Sequence, residues 1–87
     1  MPKSNRQKLF KRLWQTTLSD YVTAIAWSPD GSWLFTSSAA GEVVRHNKDT
    51  GDTTALLEAQ GESVDALAIS ADGAFLAAGG QSGTVWI

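Results

Sequence analysis

The sequence contains no cysteine and only one histidine, and it has no long apolar run. Without cysteine, disulfide bonds and thiolate metal sites are excluded. No apolar run approaches the roughly 20 residues of a membrane-spanning helix, and the first residues lack the apolar core of a signal peptide. We therefore expect a cytoplasmic protein. Any nucleophile–base pair in it would have to use His46.

Acidic residues are also missing from the start of the chain, where none precedes Asp20. Five of the seven Lys and Arg residues lie in residues 1–12, which we predict to be a basic, disordered arm. An alternative interpretation is that the arm binds an anionic membrane or nucleic acid. We expect neither partner, because the five charges show no pattern that matches such a surface. They are Lys3, Arg6, Lys8, Lys11 and Arg12.

An internal repeat is present instead, because the chain matches itself when it is shifted by 42 residues. The shift aligns a first unit, residues 21–62, with a second and shorter unit, residues 63–87. A period of about 40 residues is typical of β-propeller blades. The identical pairs include Val22 with Val64, Ala24 with Ala66, Ser28 with Ser70, Asp30 with Asp72, Gly31 with Gly73, Leu34 with Leu76, Gly41 with Gly83, and Val43 with Val85.

Each unit consists of short strand-forming segments separated by turn residues. In the first unit we predict strands at residues 21–27, 33–38, 42–46 and 53–58, and the second unit repeats this order as far as a third strand. Asp and Gly are the residues that tight turns require, since Asp bonds its own backbone and Gly accepts positive φ. The predicted fold class is therefore all-β, with about two blades of four antiparallel strands. The predicted turn residues are Asp30, Gly31, Gly41, Asp72, Gly73 and Gly83.

Residues 13–20 precede the first unit, and the same shift aligns Leu13, Trp14 and Gln15 with residues 55–57 of its fourth strand. We therefore predict that they form an N-terminal strand, the outer strand of another blade. The competing interpretation is a helix, because Leu9 and Leu13, like Phe10 and Trp14, are spaced four residues apart.

Residues 13–87 resemble the WD-repeat family in the order of their turns and strands. The family's Ser-Pro-Asp-Gly turn is matched by residues 28–31, and its small turn ending in glycine is matched at Gly41 and Gly83. The sequence departs from the family pattern at residues 46–47, which replace Trp-Asp, and at residues 59–60, which replace Gly-His. The resemblance therefore implies that the family's buried hydrogen-bond network cannot form in full, although the blade topology is retained.

The resemblance implies a β-propeller scaffold that binds other proteins. We expect no catalytic activity, cofactor or metal site, because the sequence shows no nucleophile–base pair and no cluster of metal ligands. A propeller enzyme or ligand sensor is one alternative, and it requires polar groups that converge from several blades. A binder of anionic surfaces through the basic arm is another. Two repeats bury too little surface to be stable alone. We therefore expect either further blades of the same chain or assembly of several copies.

Three side chains are candidates for contact with a partner. Arg45 stands where the family has an apolar residue, and Trp33 and Trp86 stand where polar residues are common. Trp and Arg are frequent anchors of protein interfaces. The alternative for the two tryptophans is packing between adjacent blades. Trp27 occupies a core position of the family, and we expect it to be buried.

Overall fold

The computed structural model describes residues 13–87, and none of these residues is helical. A four-stranded antiparallel sheet in the order β1-β2-β3-β4 is followed by a three-stranded antiparallel sheet in the order β5-β6-β7. The predicted all-β fold is therefore confirmed, and each sheet corresponds to one blade. The strands are β1 (Val22–Trp27), β2 (Trp33–Ser38), β3 (Val43–Asn47), β4 (Thr53–Leu57), β5 (Val64–Ile69), β6 (Leu76–Gly80) and β7 (Val85–Trp86).

The 42-residue period extends to irregularities of the strands. A β-bulge shifts the register of β1 and β2 between Val22 and Ala24. The same irregularity shifts β5 and β6 between Val64 and Ala66, at the equivalent positions. The strand bounds differ from the predicted ones by no more than one residue at an end in the first blade, as expected where strands fray.

The two blades pack face to face through side chains that alternate along their strands. On the first blade, Val43 and its neighbours on the same face point towards the second blade, and Ala78 points back from β6. Val64 begins β5 and is fully buried. The core is small, as expected for a chain of this length. It consists of Val43, Val64 and Ala78, with Leu57, Leu67, Leu76 and Trp86 partly buried against it.

A short polar connection also joins the blades near this core. The Ser37 hydroxyl is fully buried and donates to the Val64 carbonyl over 3.0 Å. The Thr23 hydroxyl lies 2.9 Å from the Ser37 hydroxyl and also donates to the Val64 carbonyl. Buried hydroxyls are tolerated when they find partners in this way. The contact therefore fixes the start of β5 against β1 and β2.

The structure corrects the prediction of a strand at residues 13–20, because no strand lies there. The segment runs across the outer face of the first blade and is attached by side chains. The Trp14 indole N–H donates to the Lys48 carbonyl over 2.5 Å. The Ser19 hydroxyl donates to Glu42 Oε1 over 2.6 Å and lowers the pKa of that carboxyl. A strand needs the free edge of a sheet, whereas this segment lies on a face.

Trp27 is not buried as expected, because 53% of its surface is exposed. The register places it on the outer face of the first blade, beside Leu34 of β2. On that face Thr36, Val44 and His46 are buried, whereas Ile25 and Trp27 of the edge strand β1 are exposed. The basic arm, residues 1–12, lies outside the described residues. No helix suited to crossing a membrane occurs in the part of the chain that the structure describes.

Candidate interaction site between the two blades

The turn between β1 and β2 is built around the carboxylate of Asp30. Its Oδ1 accepts hydrogen bonds from the Ser28 hydroxyl over 2.7 Å, from the Ser32 hydroxyl over 2.7 Å and from the Ser32 amide over 3.0 Å. These donors, the Ser32 amide foremost, lower the pKa of Asp30 to about 2. Gly31 follows with a φ of 74°. Asp30 is therefore ionised at neutral pH and holds the turn rigid.

The turn between β5 and β6 repeats this arrangement one blade further. Asp72 Oδ1 accepts from the Ala74 amide over 3.0 Å and from the Ser70 hydroxyl over 2.7 Å, and both hydrogen bonds, the Ala74 amide foremost, lower the pKa of Asp72. Gly73 has a φ of 76°. A Cβ atom at Gly73 would lie 3.5 Å from the Pro29 ring of the first turn. The two turns are therefore neighbours at the same end of the two blades.

The turns that contain Gly41 and Gly83 connect the other ends of the strands. Their φ values are 96° and 83°. A Cβ atom at Gly41 would lie 2.2 Å from the Glu62 carbonyl oxygen, so the backbone of the next connection passes directly over this glycine. Gln60, which stands where the family has His, donates from its side-chain amide to the Gly41 carbonyl over 2.7 Å. This hydrogen bond attaches the connection after β4 to the turn that contains Gly41.

Arg45 and Trp33 meet beside the two Asp turns. Phe35 of β2 pairs with Arg45 of β3, so Trp33 is the diagonal neighbour of Arg45 on the same face. The guanidinium carbon of Arg45 lies 4.2 Å from the centre of the Trp33 ring, a cation–π contact. Arg45 Nε is buried without a hydrogen-bond partner. Within residues 13–87, no carboxylate forms an ion pair with this guanidinium.

We call the cavity beside this pair the inter-blade groove. Its volume is about 370 Å³. It combines one cation, two carboxylates and apolar side chains, so it offers several kinds of contact to a partner. Its walls are Ser28, Pro29, Asp30, Trp33, Phe35, Arg45, Ile69, Asp72 and Gly73.

Trp86, the third candidate, does not belong to the inter-blade groove. It lies on β7 opposite Ala78 and packs partly buried against the core that the two blades share. This is the alternative that the sequence left open for it. The structure therefore brings Trp33 and Arg45 together and places Trp86 in the packing between blades.

His46 lies on the other side of the first blade, where only 1% of its surface is exposed. Its Nε2 lies 2.8 Å from the Thr36 hydroxyl, and Trp14 stacks on its ring with centroids 5.6 Å apart. The sequence did not indicate these contacts, because the three residues are distant in the chain. A hydroxyl–imidazole pair can act as a nucleophile only with access for substrate and a group that orients the base. His46 Nδ1 has no partner, and burial lowers its pKa.

Metal ligands do not converge in the described part of the chain. No group of three or more His, Cys, Asp or Glu side chains is close enough to hold an ion among these residues. Asp30 and Asp72 direct their Oδ1 atoms to hydrogen-bond donors of their own turns.

Comparison with known proteins supports the assignment of the repeats. Neither the curated proteins nor the solved structures contain a significant match to the chain. The WD40 family, described as "WD domain, G-beta repeat", matches residues 12–44 and again residues 51–87. These ranges cover more than half of the sequence and contain both sheets except the last part of β3. The chain therefore belongs to the WD40 repeat family.

Proposed function

We propose that the chain is a non-catalytic scaffold that binds a partner protein through the inter-blade groove. WD40 repeats generally mediate contacts between proteins. The observation that carries the proposal is the stacking of Arg45 on Trp33 beside an open cavity. Aromatic and arginine side chains in partly enclosed positions contribute most of the binding energy at protein interfaces.

The groove has walls suited to recognition. Its two Asp turns are held by hydrogen bonds within each turn. A partner therefore meets preformed surfaces, and little conformational entropy is lost on binding. Both blades contribute residues to it, so the site depends on their packing. The hydroxyl–imidazole pair that could serve an enzyme is covered by Trp14 on the opposite face.

Affinity capture from an extract of the source organism tests this proposal. We expect proteins retained by the wild-type chain to be lost with the double variant Trp33→Ala, Arg45→Met. The matched control is Tyr21→Ala, because Tyr21 is 72% exposed and lies in a different cavity. Circular dichroism establishes that each variant keeps its β structure. Retention of the same proteins by the double variant would contradict the proposal.

A further inference from the structure

We propose that the inter-blade groove recognises a carboxylate side chain, Asp or Glu, presented by a partner polypeptide. This inference rests on the proposed function and names the chemistry of the partner. Its starting point is Arg45, whose charge has no carboxylate within ion-pair distance among residues 13–87. A guanidinium remains charged at every physiological pH, so its hydrogen-bonding capacity must be met by another group.

The surroundings of Arg45 determine how a hydrogen-bond acceptor from a partner can approach its guanidinium. The guanidinium carbon lies over the Trp33 ring, 4.2 Å from its centre, so the indole occupies one side of the guanidinium. A hydrogen-bond acceptor binds in the guanidinium plane, because the N–H groups point there. The Nε atom is buried, so a ligand in the groove reaches the terminal nitrogens of Arg45 instead. A carboxylate that accepts from both terminal nitrogens forms two parallel hydrogen bonds with the guanidinium.

The carboxylates of the two turns influence which kind of anion can bind to Arg45. Asp30 and Asp72 line the groove but lie outside ion-pair distance from Arg45. The terminal nitrogens of Arg45 therefore remain available to another acceptor. Each has one oxygen engaged by donors of its own turn. An anion with two charges doubles both its attraction to Arg45 and its repulsion from the two carboxylates, whereas its desolvation penalty rises with the square of its charge. A carboxylate with a single charge is therefore favoured over a phosphorylated side chain.

The size of the groove agrees with a single inserted side chain. Its volume of about 370 Å³ is at the lower end of the range for ligand cavities. Phe35 and Ile69 form apolar walls of the same cavity. These walls can pack against the methylene groups of Asp or Glu, and the carboxylate reaches Arg45.

Pools of synthetic peptides test this inference on the full 87-residue chain. Each pool has one fixed central residue, uncharged random flanks, blocked termini and a fluorescent label, and binding is read as fluorescence anisotropy. The central residue is Glu, Asp, Gln, Arg or phosphoserine. A further pool has no acidic side chain but a free C-terminal carboxylate, which separates a chain terminus from a side chain. We expect the Glu or Asp pool to bind about tenfold or more tightly than the Gln pool.

Arg45→Met should remove the preference for the acidic pool, and Arg45→Lys should restore only part of it, because lysine lacks the planar fork. Lys48→Met is the matched control, since it removes one positive charge from a side chain that does not line the groove. It should leave the preference unchanged. Thermal melts of each variant separate loss of folding from loss of recognition.

Several results would overturn the inference. Equal binding of the Glu and Gln pools, or an unchanged preference in Arg45→Met, would show that Arg45 does not select a carboxylate. Tightest binding of the Arg, phosphoserine or free-terminus pool would assign a different ligand. An equal loss in Lys48→Met would indicate nonspecific attraction. If groove-dependent proteins are captured while the acidic pool is not preferred, the proposed function stands and only this inference fails.

Discussion

Gly80 is the glycine whose replacement the structure predicts to be most harmful. A Cβ atom there would lie 1.9 Å from the Ser63 carbonyl oxygen and 3.0 Å from the Cα atom of Val64. Both neighbours belong to the backbone, so the side chain cannot turn away from them. Relief of the contact needs a displacement of about 1 Å between β5 and β6, where Val64 pairs with Gly80. Val64 is fully buried in the core, so this displacement also disturbs the packing between the blades.

Gly31 serves as a control for Gly80, because a side chain at Gly31 would have space but an unfavourable backbone conformation. A Cβ atom at Gly31 would meet nothing within 4 Å, but its φ of 74° is unfavourable for any residue other than glycine. Gly31→Ala therefore costs about 1 kcal/mol of stability from backbone strain alone. Gly80→Ala costs about 3 kcal/mol or more from overpacking against backbone. Native proteins have a total stability of roughly 5 to 15 kcal/mol, so a loss of this size is a large part of what a small fold can have.

Urea denaturation of the wild type and the two variants measures this difference. All samples are compared at one protein concentration, because association would shift the apparent stability. We expect a small decrease in the transition midpoint for Gly31→Ala and a large decrease, or failure to fold, for Gly80→Ala. Equal midpoints for the two variants, or a larger loss for Gly31→Ala, would refute the reasoning from the glycine contacts.

Three further predictions concern ionisation, turns and association. Burial lowers the pKa of His46, so below pH about 6.5 the unfolded chain takes up a proton that the folded chain does not, and the stability should fall as the pH drops. His46→Gln should make the midpoint of urea denaturation depend less on pH between pH 8 and 5.5. Asp30→Ala should lower the melting temperature more than Asp72→Ala, because Asp30 Oδ1 accepts three hydrogen bonds and Asp72 Oδ1 accepts two; equal losses would contradict this. Ile25 and Val85 are 63% and 68% exposed on opposite outer faces. Light scattering should therefore show association of the 87-residue polypeptide, and a monodisperse monomer would argue against it.

Local and periodic features of this fold could be predicted from the sequence because their causes lie within a few residues of each other. The Asp-Gly pairs specify their turns through hydrogen bonds to the next two residues and through positive φ. The 42-residue period then indicated the second blade. It extends to the bulge after Val22, which recurs after Val64.

Two predictions from the sequence were wrong because they depend on which segment packs against a sheet face or pairs with a sheet edge. The same period aligned Leu13, Trp14 and Gln15 with β4, but residues 13–20 lie on a face of the blade and form no strand. Trp27 has the apolar character of a core residue, yet Trp14 of the N-terminal segment stacks on His46 of β3 and leaves Trp27 exposed. Neither the position of this segment nor the exposure of Trp27 can be predicted from the pattern of neighbouring residues.

The candidate site shows the same division. The sequence by itself determined the strands and turns, and it marked Arg45 and Trp33 as unusual for their positions. Only the tertiary structure decided that these two side chains stack, that Trp86 packs into the core, and that the turns with Asp30 and Asp72 form walls of one groove. The physical reason is that turns and strand alternation follow from short-range sterics and hydrogen bonds. The groove instead depends on how two separately formed sheets pack against each other.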